Sequence, residues 1–185
     1  NVKDVGQLRK RLKKISFLCV IGVMMFGIQS ITNKFNIIKI FIIIFLVFFD
    51  QITKLFIENN FSLFESFYIN SFFSVTFVVN YGFAFGFLNN PNSNQVIISI
   101  LILFIILYIS YLMLVNNNKI ISLSFTVIIA GAIGNLFDRI SRGYVVDFLD
   151  FNISNYHWPA FNLADSYISI GFITIMISIL LGKKI

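Results

Sequence analysis

The chain has 185 residues, of which 58% are hydrophobic and 12% charged, with a net charge of +6 and a mean hydropathy of +0.88. Because soluble domains are only about half apolar, this composition excludes an ordinary soluble protein and indicates an integral membrane protein. The basic residues gather in short clusters beside apolar runs, which favours topology signals over a nucleic-acid surface. The single cysteine, Cys19, excludes an intramolecular disulfide and a cysteine-based metal cluster.

The first 35 residues are predicted to be a basic and apolar extension of one domain that covers residues 36–185. In this extension the cluster RKRLKK is followed by a short apolar run, Ile15–Ile31. The run is consistent with an uncleaved signal-like segment, an interfacial helix or a fifth span. A span here would invert every later loop and translocate the carboxyl-terminal lysines, so we expect an additional, interfacial helix.

Four later apolar runs, each about 20 residues long, can cross the hydrocarbon core of a bilayer as helices. They are Asn36–Ile57, Gln95–Val115, Ile120–Phe137 and Phe161–Leu181. With a cytoplasmic amino end, the positive-inside rule then places four lysines inside: Lys39, Lys119, Lys183 and Lys184. Four acids lie outside: Glu58, Glu65, Asp147 and Asp150. The sequence therefore predicts a mainly α membrane protein with four transmembrane helices.

The loop between the first two runs, residues 59–94, has a different composition from the spans. It contains the Phe, Tyr, Val, Thr and Ser mixture of short strands, followed by Gly82, Gly86 and a polar turn at Asn89–Asn94. We predict a small extracytoplasmic β element that lies on the membrane. A second outer loop, Arg139–Ala160, ends near aromatic residues suited to the headgroup region.

Charged residues within membrane spans cost about 2.5 to 3.5 kcal/mol at a helix centre and tend to mark function. Asp50 and Lys54, in DQITK, are four residues apart on one helix face. They are consistent with a neutralised pair that extends toward the surface, or with a support for a neighbouring site. Asp138 precedes Arg139 and lies four residues before Arg142, so we expect it to be ionised, paired and structural.

Two motifs place asparagines beside small residues. In NYGFAFG, which begins at Asn80, the glycines allow the backbone to approach another group closely, although this signal alone is weak. In AGAIGNLFDR, residues 130–139, Gly131 and Gly134 permit close helix packing, and Asn135 lies one turn from Arg139.

Two carboxylates lie beside the third and fourth runs. Asp147 has only apolar neighbours in VVDFL, so desolvation is expected to raise its pKa, although a turn residue satisfied by backbone amides would also explain it. Asn162 is predicted to cap the last helix, which puts Asp165 three residues in, beside the positive end of the helix dipole.

Asp147 and Asp165 are predicted to lie on the same side of the membrane at one depth. Two close carboxylates in a low dielectric cannot both ionise, so they share a proton, and one can activate water while the other protonates a leaving nitrogen. This pattern favours an aspartic peptidase. The single His157 cannot supply a metal cluster, and no GxSxG motif is present.

Two other classes of protein remain open from the residues alone. A small proton-coupled carrier would distribute its acids across the depth of the bilayer, whereas these acids gather at the predicted outer boundary. A non-catalytic membrane scaffold would make the proximity of the two acids accidental, and both could then be replaced by Asn without loss of function.

The motifs resemble those of lipoprotein signal peptidase, the bacterial signal peptidase II family: DQITK, NYGFAFG, AGAIGNLFDRISRGYVVDFLDF and WPAFNLADS, in this order. The resemblance covers about Phe45 to Leu181. It implies an intramembrane aspartyl endopeptidase of the bacterial cytoplasmic (inner) membrane, with its active site on the extracytoplasmic side. We expect this protein to be a monomer. The implied substrates are prolipoproteins, which reach the site through the membrane lipid and are cut immediately before a diacylglyceryl-modified cysteine. Globomycin-type cyclic peptides are the implied inhibitors, and neither a metal nor a cofactor is implied.

The resemblance also implies roles for individual residues. It makes Asp147 and Asp165 the catalytic dyad. The implied substrate-binding residues are Asn80, Gly82, Asn135, Arg139 and Asn162, and the implied supporting residues are Asp50, Lys54, Asp138 and Ala164. Two positions depart from the family pattern, since Phe83 and Ala130 stand where a small residue and a glycine are usual.

Overall fold

A computed structural model describes residues 34–82, 90, 93–153 and 156–183 of the chain. In this part the helices are α1 (Lys34–Asn60), α2 (Gln95–Val115), α3 (Lys119–Ser141) and α4 (Leu163–Leu180). The strands are β1 (Ser66–Tyr68), β2 (Phe73–Asn80), β3 (Val145–Ile153) and β4 (Tyr156–His157). The predictions for Ile15–Ile31, Cys19 and Phe83 lie outside the described residues. From Lys39 onward, the described residues belong to one compact unit.

All four helices are long and apolar enough to cross a membrane, with mean hydropathies between 1.8 and 2.9 over their most apolar windows. This confirms the prediction of a mainly helical, multi-pass membrane protein. The largest difference in bounds is at α3, which continues to Ser141 rather than ending at Phe137. The apolar pattern marks only the part of a helix that needs lipid, whereas the backbone hydrogen bonds continue beyond it.

Asparagines determine where the second, third and fourth helices begin. Asn94 caps α2, Asn118 caps α3 and Asn162 caps α4, and each side-chain oxygen accepts backbone N–H bonds from the first turn. These N–H groups have no partner within the helix, so a capping side chain stabilises each start by about 1 kcal/mol.

Helix α3 is the central helix of the described bundle, with 67% of its most apolar window buried against 17 to 22% in the other three. It packs against α2 on one side and α4 on the other. Close packing around α3 requires glycine at two positions, one facing α4 and one facing α1. A Cβ atom on Gly131 would overlap the carbonyl oxygen of Ala164, and one on Gly134 would lie 2.5 Å from Asp50 Oδ2. This confirms the close packing predicted from the small residues of this segment.

The two loops at one end of the bundle combine into one antiparallel sheet, with strand order β1-β2-β3-β4. The strand character predicted in the first loop is confirmed by β1 and β2. Their partner β3 comes from the second loop, between α3 and α4. The pairing of β2 with β3 therefore brings together the end of α1, the end of α3 and the start of α4.

A β-bulge in β2 determines which β3 side chains share a face with Asn80. Leu149 pairs with Val75, but Asp147 pairs with Val78, so β2 contains one extra residue between these two pairs. Beyond the bulge Asn80 lies opposite Val145, which makes Asp147 its diagonal neighbour on the same face of the sheet.

Lys39 has a role that the charge pattern did not predict. Its side chain is buried, 3% exposed, and donates to Ser122 Oγ at 2.7 Å and to the Met113 carbonyl at 3.4 Å. Met113 lies in the last turn of α2, where carbonyl groups have no intrahelical partner. The lysine thus joins α1, the end of α2 and the start of α3.

We expect Lys39→Met to lower the Tm in detergent by about 2 to 4 °C, the shift that corresponds to a loss of roughly 1 kcal/mol in a chain of this size. The methionine keeps the length of the side chain but removes both hydrogen bonds. Thermal unfolding measures the change, with Lys119→Met, at an exposed residue, as the matched control. Equal Tm values for the two variants would contradict this role of Lys39.

Candidate active site

The two acids singled out by the sequence are brought together by one asparagine. Asp147 lies on β3 and Asp165 in the first turn of α4. Asn162 donates from Nδ2 to Asp147 Oδ1 at 2.7 Å, and its backbone N–H donates to Asp165 Oδ2 at 3.4 Å. The two carboxylates therefore lie on either side of a single residue.

Asn162 holds this position because it caps α4. Its Oδ1 accepts the backbone N–H of Asp165 at 2.9 Å, while the Asp165 side chain accepts the backbone N–H of Asn162. This reciprocal arrangement is a capping box and confirms the predicted cap. Since the side-chain oxygen of Asn162 is used by the helix, its NH2 group is available to face Asp147.

Asn135, on α3, is oriented in the same way. Its Oδ1 accepts a hydrogen bond from Lys54 Nζ at 2.9 Å, and its Nδ2 donates to Asp165 Oδ1 at 2.8 Å. An ammonium group can only donate, so the oxygen of the amide must face Lys54 and the nitrogen must face the acid. Lys54 thereby ensures that Asp165 accepts a hydrogen bond from the NH2 group of Asn135.

Asn80, at the end of β2, completes the set. Its Oδ1 accepts the backbone N–H of Gly82 at 2.9 Å, and its Nδ2 donates to Asp147 Oδ2 at 3.0 Å. The Gly82 carbonyl in turn accepts a hydrogen bond from Arg139 Nη2 at 2.5 Å. Each oxygen of both carboxylates thus accepts one N–H from an asparagine.

Burial is the main cause that raises the pKa of Asp147, to about 7, and the negative charge of Asp165 raises it further. The hydrogen bonds from Asn80 and Asn162 act in the opposite direction, because they stabilise the charged form. The side chain is 2% exposed, so water cannot offset the loss of solvation. The sequence prediction of a raised pKa is confirmed, and Asp147 can hold a proton near neutral pH.

A buried ion cluster lies on the far side of Asn135 from Asp165. Lys54 Nζ lies 2.8 Å from Asp50 Oδ2 and 2.8 Å from Asp138 Oδ2, and all three side chains are 0% exposed. The predicted pairing of Asp50 with Lys54 is confirmed. The alternative that this pair extends toward the surface is wrong, because the second acid and Asn135 hold the ammonium group inside the protein.

Asp138 has the second partner expected for it, since Arg142 Nη1 lies 2.6 Å from its Oδ1. The adjacent Arg139 points elsewhere and donates to the Asn135 and Gly82 carbonyls. Asp50 also accepts the backbone N–H of Ala164 at 3.0 Å, which satisfies another free donor in the first turn of α4. The ion cluster therefore supports both Asn135 and the helix start that carries Asp165.

Three residues of this network were not predicted from the sequence. Gln51 donates to Asp50 and Asp138, and Glu58 pairs with Arg142 at 2.7 Å and accepts from Tyr144. Gln51 had a local signal, since it follows Asp50 within the same motif. Glu58 and Tyr144 had none, because their contacts join residues more than 80 positions apart.

A cavity of about 700 Å³, here called the cleft, lies between α2, α3 and α4. Its polar end is formed by Asn80, Asn135, Arg139 and Asp165, and its walls include Ile105, Phe125 and Phe172. Along α4 its lining runs from Asp165 to Ile175, ten residues or about 15 Å of helix. Asp147 and Asn162 are buried and do not line it. Among the described residues, no group of three or more His, Cys, Asp or Glu could hold a metal ion.

We expect Lys54→Met to destabilise the protein by about 3 to 5 kcal/mol, because it leaves the buried carboxylate of Asp50 without a cation and removes one of the two cations beside Asp138. The double variant Lys54→Met/Asp50→Asn removes one of these charges and is expected to recover part of the loss. Thermal unfolding in detergent compares the two variants. A double variant no more stable than Lys54→Met would contradict the charge argument.

The raised pKa of Asp147 predicts how stability changes with pH. The folded state keeps this proton up to about pH 7, whereas an ordinary aspartate loses it near 3.8. The contribution of this proton to the free energy of unfolding is therefore complete below about pH 4, and it is lost as the pH rises to 7. We expect Asp147→Asn to flatten the fall in Tm over this range.

The matched control for this measurement is Glu65→Gln, at an exposed carboxylate. It should leave the pH profile of the Tm as it is in the wild type. A profile for Asp147→Asn that falls as steeply as the wild type between pH 4 and 7 would contradict the assignment.

Comparison with known proteins identifies the family to which this arrangement belongs. The family model described as signal peptidase (SPase) II matches residues 42–181. A lipoprotein signal peptidase of Francisella tularensis subsp. mediasiatica is 38% identical over 80% of this chain and 94% of its own length. One from Alteromonas mediterranea is 42% identical over 66% of this chain and 69% of its own length.

Two solved structures are also similar to this chain in sequence and in fold. One bacterial membrane enzyme, determined by the in meso method at 2.3 Å resolution, is 34% identical and has a TM-score of 0.71 over 79% of this chain and 91% of its own. A second, at 1.9 Å resolution, is 35% identical and has a TM-score of 0.66 over 77% of this chain and 92% of its own. The resemblance predicted from the four motifs is confirmed, and the chain belongs to the signal peptidase II family.

Proposed function

We propose that the chain is an aspartyl endopeptidase in which Asp147 and Asp165 form the catalytic dyad. The observation that carries the proposal is the pair of carboxylates joined through Asn162, of which Asp165 lies at the polar end of an apolar cleft and Asp147 is buried behind it. A proton retained by one acid near neutral pH, beside a second acid, is the arrangement that aspartic peptidases use.

In the proposed reaction the ionised acid takes a proton from water, and the water oxygen attacks the carbonyl carbon of the scissile peptide bond. The protonated acid donates to the amide nitrogen as the carbon–nitrogen bond breaks. One product ends in a carboxylate and the other begins with an amino group. Asp165 lines the cleft, so it is the acid that meets the substrate first.

Arg139 and Asn135 are proposed to orient the substrate backbone. Both line the cleft beside Asp165, and Arg139 Nε is a buried donor with no hydrogen-bond partner in the described part of the chain. A peptide carbonyl in the cleft would satisfy this donor, which otherwise carries the cost of lost hydration. Asn80 and Asn162 are proposed to position Asp147, since both donate to it.

The proposed substrates are prolipoproteins, cut immediately before a cysteine that carries a diacylglyceryl group. The relatives that bear the name lipoprotein signal peptidase support this assignment. The cleft supports it physically, because apolar walls about 15 Å long suit an apolar signal segment. Globomycin-type cyclic peptides are proposed to block the same cleft.

The proposed location is the bacterial cytoplasmic (inner) membrane, with residues 36–185 as the peptidase domain and the sheet and dyad on the extracytoplasmic side. The positive-inside rule supports this orientation, since Lys119 and Lys183 lie at the opposite end of their helices from the acids. Both acids come from one chain, which fits a monomer.

The geometry favours a peptidase over the two other classes that were considered. A proton carrier needs titratable groups along the depth of the membrane, whereas Asp147 and Asp165 are gathered by one asparagine at one end of the bundle. A scaffold gives no reason for two buried carboxylates, because burial without a compensating function costs free energy.

We expect Asp147→Asn and Asp165→Asn each to lower the rate of cleavage of a diacylglyceryl-modified prolipoprotein peptide at least about a thousandfold, because neither variant retains both an acid and a base. Purified protein in detergent is assayed by separating the two products, and globomycin should abolish wild-type cleavage.

Asp150→Asn is the matched control, since Asp150 lies on the same strand but accepts hydrogen bonds from Ser74 and Thr76. It should retain most of the activity. Wild-type rates in folded Asp147→Asn or Asp165→Asn would reject the dyad, and cleavage at another peptide bond would reject the proposed specificity.

A further inference from the structure

Asp165 faces two cavities. The second, here called the interfacial cavity, has a volume of about 420 Å³ and lies on another face of α4 from the cleft. Asp165 and Ile168 line both, so these two residues, one helical turn apart, form the wall between them. The candidate acid is therefore accessible from two directions.

The two cavities differ in depth. The interfacial cavity follows α4 only from Asp165 to Ile170, five residues or about 8 Å, whereas the lining of the cleft continues to Ile175. The interfacial cavity thus stays near the end of the helix. Trp158, which is 48% exposed, is part of its lining, and tryptophan is typical of the depth at which lipid headgroups and glycerol esters lie.

The lining of the interfacial cavity is mixed in chemistry. Ser166 and Ser169 bring hydroxyl groups, while Phe161 and Ile170 bring apolar surface. Ser169 and Ile170 are exposed on the outer face of α4, so the cavity opens toward lipid. A group with ester oxygens at one end and acyl chains at the other fits such a site, because the chains can remain in the bilayer.

The wall between the cavities is fixed by helix packing. A Cβ atom on Gly131 would lie 2.8 Å from Ile168 Cγ1, so the missing side chain of this glycine leaves room for the isoleucine. Ile168 is thereby held against α3 beneath Asp165. This packing keeps Ile168 between the two cavities.

The substrate continues on both sides of a peptide bond that reaches Asp165. These two parts of the substrate must extend away from the acid in different directions. We propose that the interfacial cavity binds the diacylglyceryl group of the modified cysteine, while the cleft binds the signal segment. This inference rests on the proposed function. It assigns the glyceryl ester region to Ser166, Ser169 and Trp158, and the separation of the two parts of the substrate to Ile168.

The test measures binding of two fragments to the full chain in phosphatidylcholine nanodiscs. The first is N-acetyl-S-(dioctanoylglyceryl)cysteine amide with a fluorophore at the carboxyl end, and the second is a fluorescent signal peptide that ends before the cysteine. Three variants are compared with the wild type. Ser169→Phe fills the interfacial cavity, Ile105→Trp fills the cleft, and Ile173→Phe is the matched control on the exposed face of α4.

We expect Ser169→Phe to weaken binding of the lipid fragment about tenfold or more and to leave the Kd of the signal peptide within about twofold. Ile105→Trp should give the reverse pattern, and Ile173→Phe should change neither Kd. The assignment is overturned if Ser169→Phe leaves lipid-fragment binding unchanged, or if it weakens both fragments equally.

A competition experiment separates the modified cysteine from lipid in general. Unlabelled dioctanoylglycerol, which lacks the cysteine, should displace the lipid fragment much less effectively than the unlabelled fragment does. Equal displacement would make the cavity a general lipid site and reject the substrate assignment. Because the readout is binding, a wild type that binds both fragments in the expected pattern but cleaves nothing would reject the peptidase and retain the cavity.

Discussion

The candidate site depends on one buried cation. Lys54 is fully buried and lies between the carboxylates of Asp50 and Asp138, which compensate for the loss of water around its charge. An ammonium group can only donate hydrogen bonds, so it fixes the oxygen of Asn135 toward itself and the nitrogen toward Asp165. This charge cluster takes no direct part in the proposed chemistry. It nevertheless determines that Asp165 accepts a hydrogen bond from the NH2 group of Asn135.

The same rule orients the other two asparagines of the site. The oxygen of Asn80 is used by the backbone N–H of Gly82, and that of Asn162 by the backbone N–H of Asp165. In each case a group that can only donate holds the oxygen, and the NH2 group is left to face Asp147. Three amides thus stabilise negative charge that burial opposes, which allows two carboxylates to lie close together while the pKa of Asp147 stays high enough to keep a proton.

Close helix packing holds these donors in place. Gly131 lets α3 approach the start of α4 so closely that an added Cβ atom would overlap the Ala164 carbonyl, and Gly134 lets α3 approach Asp50 on α1 in the same way. Without the approach to α4 the Asn135 amide could not reach Asp165, since a side-chain amide must come within about 3.2 Å of its acceptor to bond. The contact at Gly131 also supports Ile168, so this glycine serves both the candidate acid and the wall between the two cavities.

The sequence by itself determined the features that depend on local pattern. Apolar length gave the four spans, Asn162 and Asp165 have the spacing of a capping box, and the small residues around Gly131 indicated close packing. Only the tertiary structure decided the features that join distant segments. The bulge in β2, which puts Asn80 and Asp147 on one face, depends on pairing with a strand from the other loop. The inward direction of Lys54 and the burial of Lys39 likewise depend on partners on other helices, because a lone charge beside an apolar run is directed outward unless another helix compensates it.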